Sequence, residues 1–232
     1  VECGSIFDAQ LVFNKLVFRN EYAWTHLLQG YIDNGKLQDA FKLLQNMQED
    51  CIHPSRCTYL ALLKACIQMR CLRRVRELHF DIIKEGHEKD SFVRSTLVDV
   101  YMKIGSPIEA LSVFEEVQDK DVFVWTTLIG GYSEKGLNEE ALNCFQQMQQ
   151  EGLCPDEFSW SILVHGYMEQ EETEEAFRIY AQMKEQGIEP NNSILANLLA
   201  SCGSRAALQS GKILHSQIIG PYLVVIQFRG MH

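Results

Sequence analysis

The sequence predicts an all-α protein, an α-solenoid built from helix–turn–helix repeats. Three observations carry this. Bulky anchors recur at Trp24, Tyr59, Arg94, Trp125, Trp160 and Leu195, in steps of 35 residues with one step of 31. Apolar residues after the anchors fall at i, i+3, i+4 and i+7, as Trp125, Leu128, Ile129 and Tyr132 do, which is one face of a helix. The segment EALNCFQQMQQEGLCPD (140–156) also has near copies in DAFKLLQNMQEDCIHPS (39–55) and EAFRIYAQMKEQGIEPN (175–191). Self-similarity at such a period marks a repeat architecture. One helix pair cannot bury its own apolar faces, and stacking on neighbours does so.

The elements follow in order. Residues 1–20 hold the second helix of a partial repeat, with Ala9 and Phe13 in its core columns. Full repeats then occupy 21–55, 56–90, 91–121, 122–156 and 157–191, and a partial one covers 192–219. The first helix of each begins near its anchor. It is broken at Gly35, Gly105 and Gly136, with Gly4 in the same column, because glycine accepts the left-handed conformation that closes a helix. The second helix is expected to be capped by Ser106 ahead of Pro107, and by Asn138 and Thr173. Ala40, Ala110, Ala141 and Ala176 mark where two helices approach closely, and Leu44, Phe114, Phe145 and Tyr180 fill the space four residues on. His79 and His215 share that column and read as packing residues. Pro54, Pro155 and Pro190 are expected to stop the second helix, since proline lacks the amide proton. The segment GPYLVVIQFRGMH (220–232) departs from the pattern as a divergent tail.

Bulk properties narrow the function. The net charge of −10 argues against a general nucleic-acid binder with a basic stripe. No apolar run reaches membrane-spanning length, so no membrane partner is expected. The 8 cysteines include no C-x-x-C pair and read as small packing residues, with neither disulfide framework nor zinc site. No catalytic constellation and no cofactor motif is present. The chain starts at Val1 without an initiator Met, which points to a piece of a longer protein.

A period of 35 with Trp or Tyr near the start, G-x-x-x-E-A in the turn and x-M-x-x-x-G-x-x-P-[DN] at the end resembles the pentatricopeptide repeat. Repeats 21–55 and 122–156 resemble its standard form, 56–90 and 192–219 its long form, and 91–121 its short form. Repeat 157–191 is standard where strict alternation would place a long one. The resemblance spans 1–219 and implies a right-handed superhelical solenoid that binds single-stranded RNA, one base per repeat. Mixed repeat forms are typical of plant proteins that direct cytidine-to-uridine RNA editing in the chloroplast or mitochondrion. The deaminase that ends some of them would show H-x-E and P-C-x-x-C, and neither occurs here. The expected chain is therefore a reader rather than an enzyme, with an editing enzyme as a conceivable protein partner.

In this family, base choice lies chiefly with the fifth and last residues of a repeat. The resemblance thus implies the pairs Thr25 with Ser55, Leu60 with Asp90, Ser95 with Asp121, Thr126 with Asp156, and Ser161 with Asn191. A hydroxyl with Asp implies guanine and a hydroxyl with Asn adenine, so the implied core is purine-N-G-G-A. The chemistry is consistent, because a carboxylate only accepts hydrogen bonds and so selects a donor edge. On this reading the last residue stays polar because it touches the base, and the hydroxyls sit where the core does not require them. The second residues Tyr22, Phe92, Phe123 and Phe158 would flank the bases. Burial between neighbouring first helices explains them equally well.

The electrostatics pull the other way. The six first helices together carry a small negative charge, and at the thirteenth position, where relatives often place Lys, only Lys103 is basic among Asp33, Gln68, Glu134, Glu169 and Ser204. Weak RNA affinity with weak salt dependence is expected. A helical scaffold that binds a protein partner remains the alternative.

Overall fold

The computed structural model describes residues 6–117 and 120–201, with side chains to 198. Gly4, His215, the end of the last partial repeat and the tail lie outside them. Twelve α-helices and no strand occur among the described residues. The chain divides into two blocks, 1–119 and 120–232, at the end of the short repeat.

The first block holds α1 (Ile6–Lys15), α2 (Glu21–Asp33), α3 (Leu37–Glu49), α4 (Arg56–Met69), α5 (Leu72–Lys84), α6 (Ser91–Ile104) and α7 (Pro107–Glu115). The second holds α8 (Val122–Ser133), α9 (Asn138–Gln150), α10 (Glu157–Glu169), α11 (Thr173–Glu185) and α12 (Asn192–Ser201). Both obey one rule. First helices pack side by side, α2 on α4 on α6 in one block and α8 on α10 on α12 in the other. The second helices α3, α5, α7, α9 and α11 pack on their own first helices, and α1, α3, α5, α9 and α11 pack on the next first helix as well. This is the stacked helix–turn–helix solenoid that the period predicts.

The core follows the columns. Ala40, Ala110, Ala141 and Ala176 are fully buried, as is Val75 in the same column. Anchors pack across repeat boundaries. Trp24 meets Phe13 edge to face at 4.7 Å between ring centres, and Trp160 meets Phe145 at 4.6 Å. Burying such a side chain contributes about 1.5–3 kcal/mol. His79 packs as expected, its ring edge-on to Tyr101 and its Nδ1 3.1 Å from the phenol oxygen. Burial lowers the His79 pKa and pushes that of Tyr101 up to about 12. In the short repeat, Arg94 replaces the aromatic anchor, and its guanidinium donates to the carbonyls of Glu88 and Glu116. Cys66 and Cys144 are buried thiols, raised by burial to about 12 and about 11. No helix among the described residues is long and apolar enough to cross a membrane.

Two expectations about helix ends need correction. Proline does not stop the second helices. They end at Glu49, Gln150 and Glu185, several residues before Pro54, Pro155 and Pro190. The stop is a Schellman turn. Gly187 N–H donates to Lys184 O and Ile188 N–H to Met183 O, and Gly152 with Leu153 and Cys51 with Ile52 repeat the pair. The M-x-x-x-G spacing is therefore the geometry of one helix end, with Met47, Met148 and Met183 fully buried. Second-helix capping was also misassigned. None of α7, α9 and α11 has a side-chain cap bond to its first turn. Ser106 donates instead to the Glu109 carboxylate, and Asn138 reaches into the next repeat.

The left-handed residues among the described ones occupy two columns, one per helix end. Gly35, Gly105 and Gly136 share the first with Arg70 and Glu171, and Gly86, Gly152 and Gly187 share the second with Cys51. A side chain in this conformation costs about 1–2 kcal/mol, part of which glycine gives back in unfolded-state entropy. Arg70 and Glu171 are exposed. Glu171→Gly is accordingly expected to stabilise the fold by about 0.5–1 kcal/mol in urea unfolding, and a decrease would refute the strain.

Candidate nucleic-acid interface

The last residue of each repeat is the N-cap of the next repeat's first helix. Asn20 Oδ1 accepts from Ala23 N–H at 3.0 Å, Asp121 Oδ1 from Val124 N–H at 2.9 Å, Asp156 Oδ1 from Ser159 N–H at 2.8 Å, and Asn191 Oδ1 from Ile194 N–H at 2.8 Å. Ser55 Oγ accepts more loosely from Thr58 N–H at 3.5 Å, and Asp90 Oδ1 accepts from Phe92 and Val93. Such a cap is worth about 1 kcal/mol. The retention of a small polar residue there thus has a cause independent of any ligand. Base contact, the reading made from the sequence, is not needed to explain it.

The fifth residues sit deeper than free polar positions would. Thr126 is 5% exposed and Ser95 2%, while Thr25 and Ser161 are half-buried. Three of the implied pairs are joined. Thr126 Oγ1 lies 2.7 Å from Ser159 Oγ, and that hydroxyl donates to Asp156 Oδ1 at 2.7 Å. Thr25 Oγ1 lies 2.8 Å from Thr58 Oγ1, itself 3.3 Å from Ser55 Oγ. In the third, Asn191 Nδ2 donates directly to Ser161 Oγ at 3.1 Å. Ser95 instead donates to its own helix, to Ser91 O at 2.8 Å and Phe92 O at 3.2 Å. Asp90, implied partner of Leu60, is engaged at both oxygens, since Arg56 pairs with Oδ2 at 3.1 Å.

Thr58 and Ser159, third residues of their repeats, were missed in the sequence. Their only signal is a hydroxyl in a column that otherwise holds Ala23, Val93, Val124 and Ile194.

The aromatic second residues are not buried between helices. Tyr22 is 71% exposed, Phe92 58%, Phe123 54% and Phe158 65%. That removes the burial explanation. Arg56 stands 5.6 Å from the Phe92 ring centre, a cation–π distance. Lys103, the one basic thirteenth residue, pairs with Asp99 on its own helix at 2.9 Å.

The comparisons with known proteins decide the family. A model described as the PPR repeat family matches residues 19–68, 120–169 and 155–193, and a second PPR repeat model matches 57–87 and 92–122. The chain belongs to the pentatricopeptide repeat family. Among curated members, a mitochondrial pentatricopeptide repeat-containing protein of Arabidopsis thaliana is 41% identical over 116 residues, covering 50% of this chain and 18% of that protein. A chloroplastic one from the same plant is 35% identical over 115 residues, covering 49% of this chain and 22% of that protein. The aligned part thus spans less than a quarter of these relatives. Among solved structures, the pentatricopeptide repeat protein PPR10 from maize superposes with a TM-score of 0.75 over 90% of this chain and 31% of that one, at 23% identity. PPR10 in complex with an 18-nt psaJ RNA element gives 0.70 over 89% of this chain and 31% of that one, at 19% identity. These likenesses establish the pentatricopeptide fold of the chain.

Proposed function

We propose that this pentatricopeptide array binds single-stranded RNA along its first helices, one base per repeat, within a longer protein of chloroplast or mitochondrial transcript processing. The observation that carries the reading is the exposure of four aromatic rings at the second position. Tyr22, Phe92, Phe123 and Phe158 are each more than half exposed, and an exposed ring is a surface against which a base can stack, worth about 1–3 kcal/mol. The joined polar pairs Thr126/Asp156, Thr25/Ser55 and Ser161/Asn191 supply edges beside those rings. Ser95 and Asp121 complete the set. The RNA held by PPR10 supports the class of ligand, and the organelle names of the Arabidopsis relatives support the compartment. In C-to-U editing this chain would supply the address and another domain or partner the deamination.

The test is a titration of the full chain against a short purine-N-G-G-A RNA and a scrambled control, at low ionic strength. Preference for the first is expected. Thr126→Asn should then change the base preferred at the fourth position from guanine to uracil. Equal binding of both RNAs would sink the reading and favour a protein-binding scaffold, which the net charge of −10 suits.

A further inference from the structure

We infer that Ser159 is a specificity-positioning residue for the preceding repeat: its hydroxyl polarises the Thr126/Asp156 pair so that both present acceptors to the base. This rests on the base-reading proposed above. The argument is one of hydrogen-bond direction. The Asp156 carboxylate can only accept, so the Ser159 hydroxyl donates to it, at 2.7 Å. Its single hydrogen is then spent, and the Thr126 hydroxyl at 2.7 Å donates to Ser159. Thr126 therefore has no hydrogen left to offer a ligand, only a lone pair. Asp156 Oδ1 is also taken by Ser159 N–H at 2.8 Å, which leaves Oδ2 of this exposed residue as the outward acceptor.

Two acceptors side by side match a base edge with two donors, which is guanine's N1–H and N2–H2. Adenine and the pyrimidines lack that combination, and an acceptor facing an acceptor leaves both unpaired. The other linked repeats differ for a reason visible in the same atoms. In Thr25–Thr58–Ser55 every member is a hydroxyl, and no carboxylate sets the direction. That pair can donate or accept, which makes it tolerant. In Ser161/Asn191 the third residue of the next repeat is Ile194, no relay exists, and the amide donates directly. Ser159 is fully buried, so it acts through its neighbours and does not touch the base.

The test uses an isosteric pair. Thr58 occupies the same column, and so do Val93 and Val124, all fully buried. Ser159→Thr retains the hydroxyl and Ser159→Val removes it at equal shape. For each full-length variant, affinity is measured for purine-N-G-G-A and for the RNA carrying adenine at the fourth position. Wild type and Ser159→Thr are expected to prefer guanine by about tenfold. Ser159→Val is expected to fall to about twofold or less while keeping its preference for adenine at the fifth position, which a general loss of structure would not spare. If Ser159→Val keeps the full guanine preference, the relay is wrong and base reading stands. If wild type shows no preference at the fourth position, base reading at this repeat fails and the relay with it.

Discussion

Gly166→Ala is expected to destabilise the second block by about 2–4 kcal/mol, because its added Cβ would meet the tightest contact among the described glycines. A Cβ there would collide with Ser133 Oγ and stand 2.8 Å from Asn138 Oδ1. Neither can retreat cheaply. Asn138 and Ser133 are buried, and both are committed across the repeat boundary. Asn138 Nδ2 donates to Gly166 O at 3.0 Å, Ser133 Oγ to Ile162 O at 3.3 Å, and Tyr167 OH to Asn138 O at 3.4 Å. The methyl must push α10 away from α8 and α9 or break this knot, leaving buried polar groups without partners. Alanine is harmless in the same column of the first block, where Ala65 is fully buried. Thermal or urea unfolding reads the loss, and Ser133→Ala in the same chain should recover part of it. Wild-type stability in Gly166→Ala would show that the close approach is relaxed in solution.

Phe158→Ala is expected to weaken RNA binding without weakening the fold. The ring is 65% exposed, so its removal should leave the unfolding midpoint almost unchanged. Loss of one stacking face should weaken purine-N-G-G-A binding by about thirtyfold, at the middle of a range of about 1–3 kcal/mol. Phe123→Ala should behave alike, since that residue has the same place in the preceding repeat. Fluorescence anisotropy with labelled RNA measures both. An unchanged affinity in both variants would remove the stacking role and leave the exposed aromatics for another kind of partner.

The helix pairs and the buried column of Ala40, Ala110, Ala141 and Ala176 were legible because they depend on spacing along one chain, while Ala9, expected in the same column, is exposed. Glycine in the columns just past each helix end signals a left-handed turn, as Gly35, Gly105, Gly136, Gly152 and Gly187 show. The same logic failed for Pro54, Pro155 and Pro190, because a Schellman turn at Cys51, Gly152 and Gly187 had already ended each helix. It failed for Asn138 too, whose side chain prefers a carbonyl one repeat away to the amides of its own first turn. Local signals rank local partners and say nothing of a competitor 28 residues on.

The sequence by itself determined the family and the architecture, since period, helical phase and turn residues are properties of the chain read in order. It also singled out the pairs from Thr25/Ser55 to Ser161/Asn191 as places of interest. Only tertiary structure decided that the last residue of a repeat caps the next helix, that the second-position rings stand in water, and that Ser159 joins Thr126 to Asp156. The reason is the same in each case. Exposure and the direction of a side-chain hydrogen bond depend on which repeat lies across the interface and on how closely it approaches, and no spacing within one repeat records that.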